Sequence, residues 1–159
     1  MLALPPLAEQ RRIAEVLDKA EALRTKRRAA LAQLDSLTQS LFLDLFGDPR
    51  KKGSQGKIPT KPHLLGDLTR IRTGKLDANA ADENGIYPFF TCAVEPLRIN
   101  TPAFDCKAVL VAGNGDLNVK YYEGKFNAYQ RTYVIESLDE CALVPRFLYA
   151  FLDLYVSRP

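Results

Sequence analysis

The sequence predicts an α+β protein: a long N-terminal coiled-coil helix followed by a small α/β domain with mixed and antiparallel strands. Three observations predict it. Apolar residues recur at steps of three and four from Ile13 to Leu41, and no Gly or Pro interrupts the run from Ala8 to Phe46. Residues 48–63 then change abruptly to Pro, Gly, Ser and Lys. Beyond them, short β-branched and aromatic runs alternate with Gly/Asn turns and give way to one amphipathic stretch. The organisation is therefore helix 1–47, basic linker 48–63 and domain 64–159.

The helix opens at Pro5 and Pro6, residues tolerated only before a helix or in its first turn, where a missing N–H costs nothing. Glu9 lies near the positive end of the helix dipole. Ile13, Val16, Ala20, Leu23, Ala30, Leu34, Leu37 and Leu41 form an a/d seam, with Arg27 at one a-type position. Leu17, Leu31 and Leu45 widen it. Gly47 supplies a C-terminal cap, and Pro49 a stop. At 1.5 Å per residue this helix is roughly 55–60 Å long, far beyond the average of about 11–12 residues. A lone helix of this kind needs an apolar partner. The sequence contains no second helix of similar length, so the partner is expected to be another polypeptide, a second copy pairing antiparallel being the simplest.

The linker carries Arg50, Lys51, Lys52, Lys57 and Lys61 among its prolines and glycines. It reads as a solvated hinge or as a set of cations along a phosphate backbone, Lys51 and Lys52 being the candidates. In the domain, Leu64–Leu68 reads as one short helical turn leading into Thr69-Arg70-Ile71-Arg72. Residues 73–80 have loop composition. Ile86–Cys92 is a strand, at an edge because of Pro88, and Ala108–Ala112 is a buried strand. Gly113-Asn114-Gly115-Asp116 makes a turn. Asn118–Tyr122 and Lys125–Ile135 read as a hairpin about Glu123-Gly124, and Pro145 opens an amphipathic helix through Tyr155.

Composition excludes several classes. There is no apolar run near 18 residues and no signal-peptide pattern. Cys92, Cys106 and Cys141 are odd in number and lack metal-ligand spacing, which suits reduced thiols in a cytoplasmic protein. His63 is the only histidine, and no P-loop, cofactor-binding glycine loop or metal motif is present. The glycines after residue 111 lead into another strand, where a phosphate loop should open a helix. No enzyme activity, metal or cofactor is expected. The net charge of +3 is uneven: residues 1–63 hold 12 Lys/Arg against 7 Asp/Glu, and residues 64–159 hold 10 against 12. The domain thus lacks the basic excess typical of an autonomous nucleic-acid binder.

Three loops nevertheless carry side chains suited to base edges. Asn114 and Asn118 can pair with adenine, and Lys120 with guanine or a phosphate. Gln130 can read adenine, Arg131 can fork onto guanine, and Tyr129 can touch sugar or phosphate. Arg72, Lys75 and Asn79 form the third group.

Leu4-Pro5-Pro6-Leu7-Ala8-Glu9-Gln10-Arg11-Arg12-Ile13, followed by the heptad helix, resembles the spacer region of type I restriction–modification DNA specificity subunits. There a Pro-Leu-x-Glu-Gln-x-x-Ile element closes a target-recognition domain and opens a long helix. Residues 64–159 are similar to the start of such a domain at Leu65-Gly66-Asp67-Leu68, Ile71, Gly74, Tyr87-Pro88, Gly113-Asn114-Gly115 and Gly124 to Ile135. The resemblance implies a non-catalytic subunit that reads double-stranded DNA at a bipartite site. Methyl transfer and cleavage would belong to separate modification and restriction subunits. Family members carry two recognition domains and two long helices. One helix and one domain, stopping soon after the Pro145 helix, imply a half-size or truncated form whose domain is incomplete at its C-terminus. The alternative is a coiled-coil adaptor that docks a partner subunit without binding DNA.

Overall fold

The computed structural model describes residues 4–48, 50–51, 53–115 and 117–156. The expected stop at Pro49, the candidate phosphate contact Lys52 and turn residue Asp116 lie outside them. The chain divides into two compact units, Met1–Lys61 and Pro62–Pro159.

In the first unit, helix α1 spans Leu7–Phe46. Pro6 precedes it in extended conformation, and its carbonyl accepts from the N–H groups of Glu9 and Gln10 at 2.9 and 3.0 Å. The helix ends at Gly47, whose φ of 78° is the left-handed conformation that favours glycine and whose N–H donates to Leu43 O at 2.8 Å. The segment after it turns back on the last helical turn. The N–H groups of Lys57 and Ile58 reach the carbonyls of Asp44 and Leu45, and Lys57 Nζ pairs with Asp44 at 2.7 Å. Seam residues Ile13, Val16, Leu23, Leu34, Leu37 and Leu41 all remain exposed.

The second unit holds one mixed six-stranded sheet in the order β1-β6-β4-β5-β2-β3. A one-turn helix α2 (Leu65–Leu68) leads into β1 (Thr69–Thr73), and β2 (Tyr87–Phe90) and β3 (Leu97–Ile99) follow. The long strands β4 (Phe104–Ala112) and β5 (Val119–Ala128) pair antiparallel, β6 (Thr132–Ser137) lies on the other side of β4, and α3 spans Pro145–Val156. An isolated parallel bridge joins Leu76, just past β1, to Tyr129, just past β5.

Alternation along the strands gives the two faces different jobs. Ala108, Leu110, Phe126, Ala128 and Val134 pack with Phe90 in one cluster, and the Phe104 and Phe126 rings stack at 5.1 Å. Val109, Val119 and Ile135 face the opposite way and bury Leu148 and Leu152 of α3. Each such leucine contributes about 1.5–3 kcal/mol, so α3 is held by its apolar stripe.

Two expectations are corrected here. Glu123-Gly124 is not a hairpin turn: β5 runs unbroken through it in register with β4, Cys106 opposite Gly124. Gly124 does have a positive φ, 123°, but uses it inside the strand. The actual turn is Tyr129–Arg131, and its strands do not pair, since β4 lies between them. Nor is β2 an edge. The three-residue β3 covers it, and its parallel ladder with β5 begins at Phe89, one residue after the proline that cannot donate.

Candidate nucleic-acid interface

Four loops meet at one rim of the second unit, joined mostly by backbone hydrogen bonds. Gly113 N–H donates to Arg131 O at 2.8 Å, which ties the β4–β5 loop to the β5–β6 turn. Gln130 N–H donates to Leu76 O, and Tyr129 N–H to Phe90 O, both at 2.9 Å, bringing in residues 74–80 and the end of β2. Asn118 Nδ2 donates to Cys92 O at 2.8 Å, and Cys92 Sγ lies 3.6 Å from Arg131 O.

These bonds require close backbone approach. A Cβ on Gly113 would lie 2.8 Å from Arg131 O. One on Gly74 would overlap the Ala128 carbonyl and sit 2.5 Å from Tyr129 O. Glycine is therefore needed at both positions for space.

The candidate residues divide into two groups. Lys75, Asn79, Asn114, Gln130 and Arg131 are exposed on the four-loop rim. Asn79 lies in a short 3-10 turn, Ala78–Ala80, whose Asp77 carboxylate accepts from Asn79 N–H at 3.2 Å and faces Gln130 Nε2 at 3.4 Å. Asn114 is exposed, and its Oδ1 accepts from Gly115 N–H at 2.9 Å. Tyr129 is half-buried beside them.

Asn118, Lys120 and Arg72 are held by partners within the unit. Asn118 is anchored through its amide to Cys92, and its Oδ1 accepts from Lys120 Nζ. Lys120 is half-buried, and burial holds its pKa below the ordinary lysine value. Both brace the rim from within. Arg72, on β1, forks onto Glu136 of β6 and lies 5.0 Å over the Phe104 ring. Lys51 is exposed in the first unit.

The Arg72–Glu136 pair has a measurable neighbour. Burial, and then the Glu136 carboxylate, push the Cys106 thiol up to about 11. The thiolate is the nucleophile, so at pH 8 iodoacetamide should label exposed Cys141 at least about tenfold faster than Cys106. Equal rates in peptide mass spectra would contradict this arrangement.

Sequence reasoning missed Cys92, Asp77 and Gly113 as the parts that join the loops. Their roles depend on contacts between distant segments, and only Gly113 carried a local signal.

Among the described residues, no group of three His, Cys, Asp or Glu could hold a metal ion, and no helix is long and apolar enough to cross a membrane.

No protein-family model matches the sequence. The chain is 56% identical over 101 residues to the type I restriction enzyme EcoDI specificity subunit of Escherichia coli, a match covering 62% of this chain and 22% of that protein. It thus spans about a fifth of the relative's length. Its fold is similar to that of the HsdS subunit from Thermoanaerobacter tengcongensis, with a TM-score of 0.52, 21% identity and coverage of 98% of this chain and 44% of that one. A chain from a structure of type I R-M complex assembly and conformational transition gives a TM-score of 0.55 at 23% identity, covering 95% and 42%. The chain is therefore related in sequence to a type I restriction specificity subunit and shares the HsdS fold.

Proposed function

We propose, from this kinship, that the chain supplies DNA sequence recognition to a type I restriction–modification complex in the cytoplasm. It reads double-stranded DNA and directs the chemistry of modification and restriction subunits, with no catalytic group or cofactor of its own. The exposed seam of α1 takes a second long helix, the arrangement that spaces two reading heads over a bipartite site.

The observation that carries this reading is the convergence of Lys75, Asn79, Asn114, Gln130 and Arg131 on one braced rim. Arg131 supplies the bidentate donors that suit guanine O6 and N7, and Asn114 and Gln130 supply the donor–acceptor amides that suit adenine. Lys75 adds charge for a phosphate, and Lys51 a further phosphate contact from the first unit.

The test is selection of bound duplexes from a random-sequence library, with the chain mixed with its cognate modification subunit, at two salt concentrations. A recovered motif supports recognition. Complex formation without any motif replaces it with the adaptor reading, which the acidic balance of residues 64–159 favours. In the same assay Lys51→Ala should weaken binding to all sequences alike and reduce the salt slope by about one. A change of preferred sequence with Lys51→Ala would remove it from the phosphate set.

A further inference from the structure

Asp77 stands on the four-loop rim as an exposed acid among the groups offered to DNA. Backbone bonds set its place. Gln130 N–H donates to Leu76 O at 2.9 Å, and Leu76 and Tyr129 form a parallel bridge, so residue 77 leaves the bridge beside residue 130. Asp77 Oδ1 accepts from Asn79 N–H at 3.2 Å as the N-cap of the Ala78–Ala80 turn. Its Oδ2 accepts from Gln130 Nε2 at 3.4 Å. The carboxylate makes no ion pair among the described residues.

A carboxylate accepts hydrogen bonds and cannot donate them. The end of the Gln130 amide that faces Asp77 is therefore its NH₂, a choice between nitrogen and oxygen that shape alone leaves open. One N–H is committed to Asp77. Gln130 keeps its Oε1 as an acceptor and its second N–H as a donor. In the major groove adenine presents one donor and one acceptor, N6–H₂ and N7, whereas guanine presents two acceptors, O6 and N7. The pair left on Gln130 matches adenine. Guanine would need both N–H groups, or would set its O6 against Oε1.

We infer that Asp77 is a positioning residue for base choice: it fixes the sense of the Gln130 amide, so that Gln130 takes adenine and rejects guanine. The inference rests on the proposed reading of DNA by this rim, and it assigns discrimination to a side chain that acts through its neighbour. Capping the turn needs only one oxygen, and an asparagine would cap as well. The second oxygen and the negative charge are what hold the amide in one sense. That charge also opposes phosphate binding, a cost that a cap alone would not require.

The duplex selection with the modification subunit tests it on the chain, on Gln130→Ala, on Asp77→Asn and on the double variant, each checked for retained fold by circular dichroism. Gln130→Ala identifies the position that Gln130 reads. Asp77→Asn keeps a capping side chain, but its own NH₂ can donate to Oε1 and turn the amide over. The preference for adenine over guanine at that one position should fall at least about tenfold. In the Gln130→Ala background the same substitution should change nothing there. An unchanged preference in Asp77→Asn would reduce Asp77 to a cap. A change that persists without Gln130 would make Asp77 a base contact in its own right and end the positioning role. A preference for guanine in the unsubstituted chain would overturn the assignment outright. A second readout needs no DNA: the side-chain amide protons of Gln130 in the free, isotope-labelled chain. One of them should be displaced downfield by the carboxylate, a shift lost in Asp77→Asn. That displacement with no motif recovered would condemn the recognition reading. Its absence with a motif recovered would condemn the positioning role alone.

Discussion

Replacing Gly74 by alanine is expected to lower the stability of the second unit by about 3–4 kcal/mol. The new Cβ would be driven into the Ala128 carbonyl and lie 2.5 Å from Tyr129 O. These are backbone atoms at the end of β5, so no side chain can swing aside to make room. Relief requires separating Gly74 from the end of β5, although its N–H also reaches Thr132 O at the start of β6 at 3.4 Å. For a unit of this size the melting temperature should fall by roughly 15–25 °C. Gly66, in α2, is the control: nothing lies within 4 Å of a Cβ there, so Gly66→Ala should leave stability unchanged or raise it by about 0.5–1 kcal/mol. Thermal unfolding followed by circular dichroism measures both, and an unchanged transition for Gly74→Ala would refute the close backbone packing described at Gly74.

The second large effect concerns recognition. Arg131→Ala should reduce discrimination at one position of the target by about ten- to a hundredfold while leaving the fold intact. Arg131 is exposed, and the bonds that hold its turn use its backbone carbonyl. Truncating its side chain therefore removes the fork without releasing the loop. The readout is the ratio of affinities for the selected duplex and for a duplex changed at each position in turn. An equal loss for every sequence would make Arg131 a phosphate contact.

The sequence was most informative where periodicity is long or punctuation unambiguous. The α1 boundaries follow from two prolines and one glycine, and α3 from Pro145 and its apolar spacing. The expected strand at Ala108–Ala112 is found, although β4 begins at Phe104 because the mixed polar and apolar run before it also serves a half-buried face. Gly124 misled because a glycine after a charged residue has turn composition. Its positive φ was foreseeable; its place inside a continuous strand was not. The true turn, Tyr129-Gln130-Arg131, carries no Gly, Pro or Asn. Its local closure, Thr132 N–H to Tyr129 O at 2.9 Å, is joined by long-range bonds to Gly113, Leu76 and Phe90, which no local pattern encodes.

The candidate site divides for the same reason. Residue type singled out Asn114 and Asn118 of the β4–β5 loop and Lys120 at the start of β5 as equivalent candidates for base contact. It could not distinguish Asn114, which is exposed, from Asn118, whose amide is anchored to the main chain of Cys92. Likewise Arg72 and Arg131 are equivalent as letters. Only the register of β1 with β6 brings Glu136 within reach of the first.

The joining of the rim by main-chain atoms has a consequence for retargeting. The bonds from Gly113 to Arg131, from Gln130 to Leu76 and from Tyr129 to Phe90 involve N–H and C=O groups that every non-proline residue possesses. Side chains at 114, 130 and 131 can therefore be exchanged like type in a fixed frame, with Gly74, Gly113 and Asn118 kept as the frame. A library randomised at those three positions should yield folded variants in high proportion, and under the proposed reading each would select a different duplex.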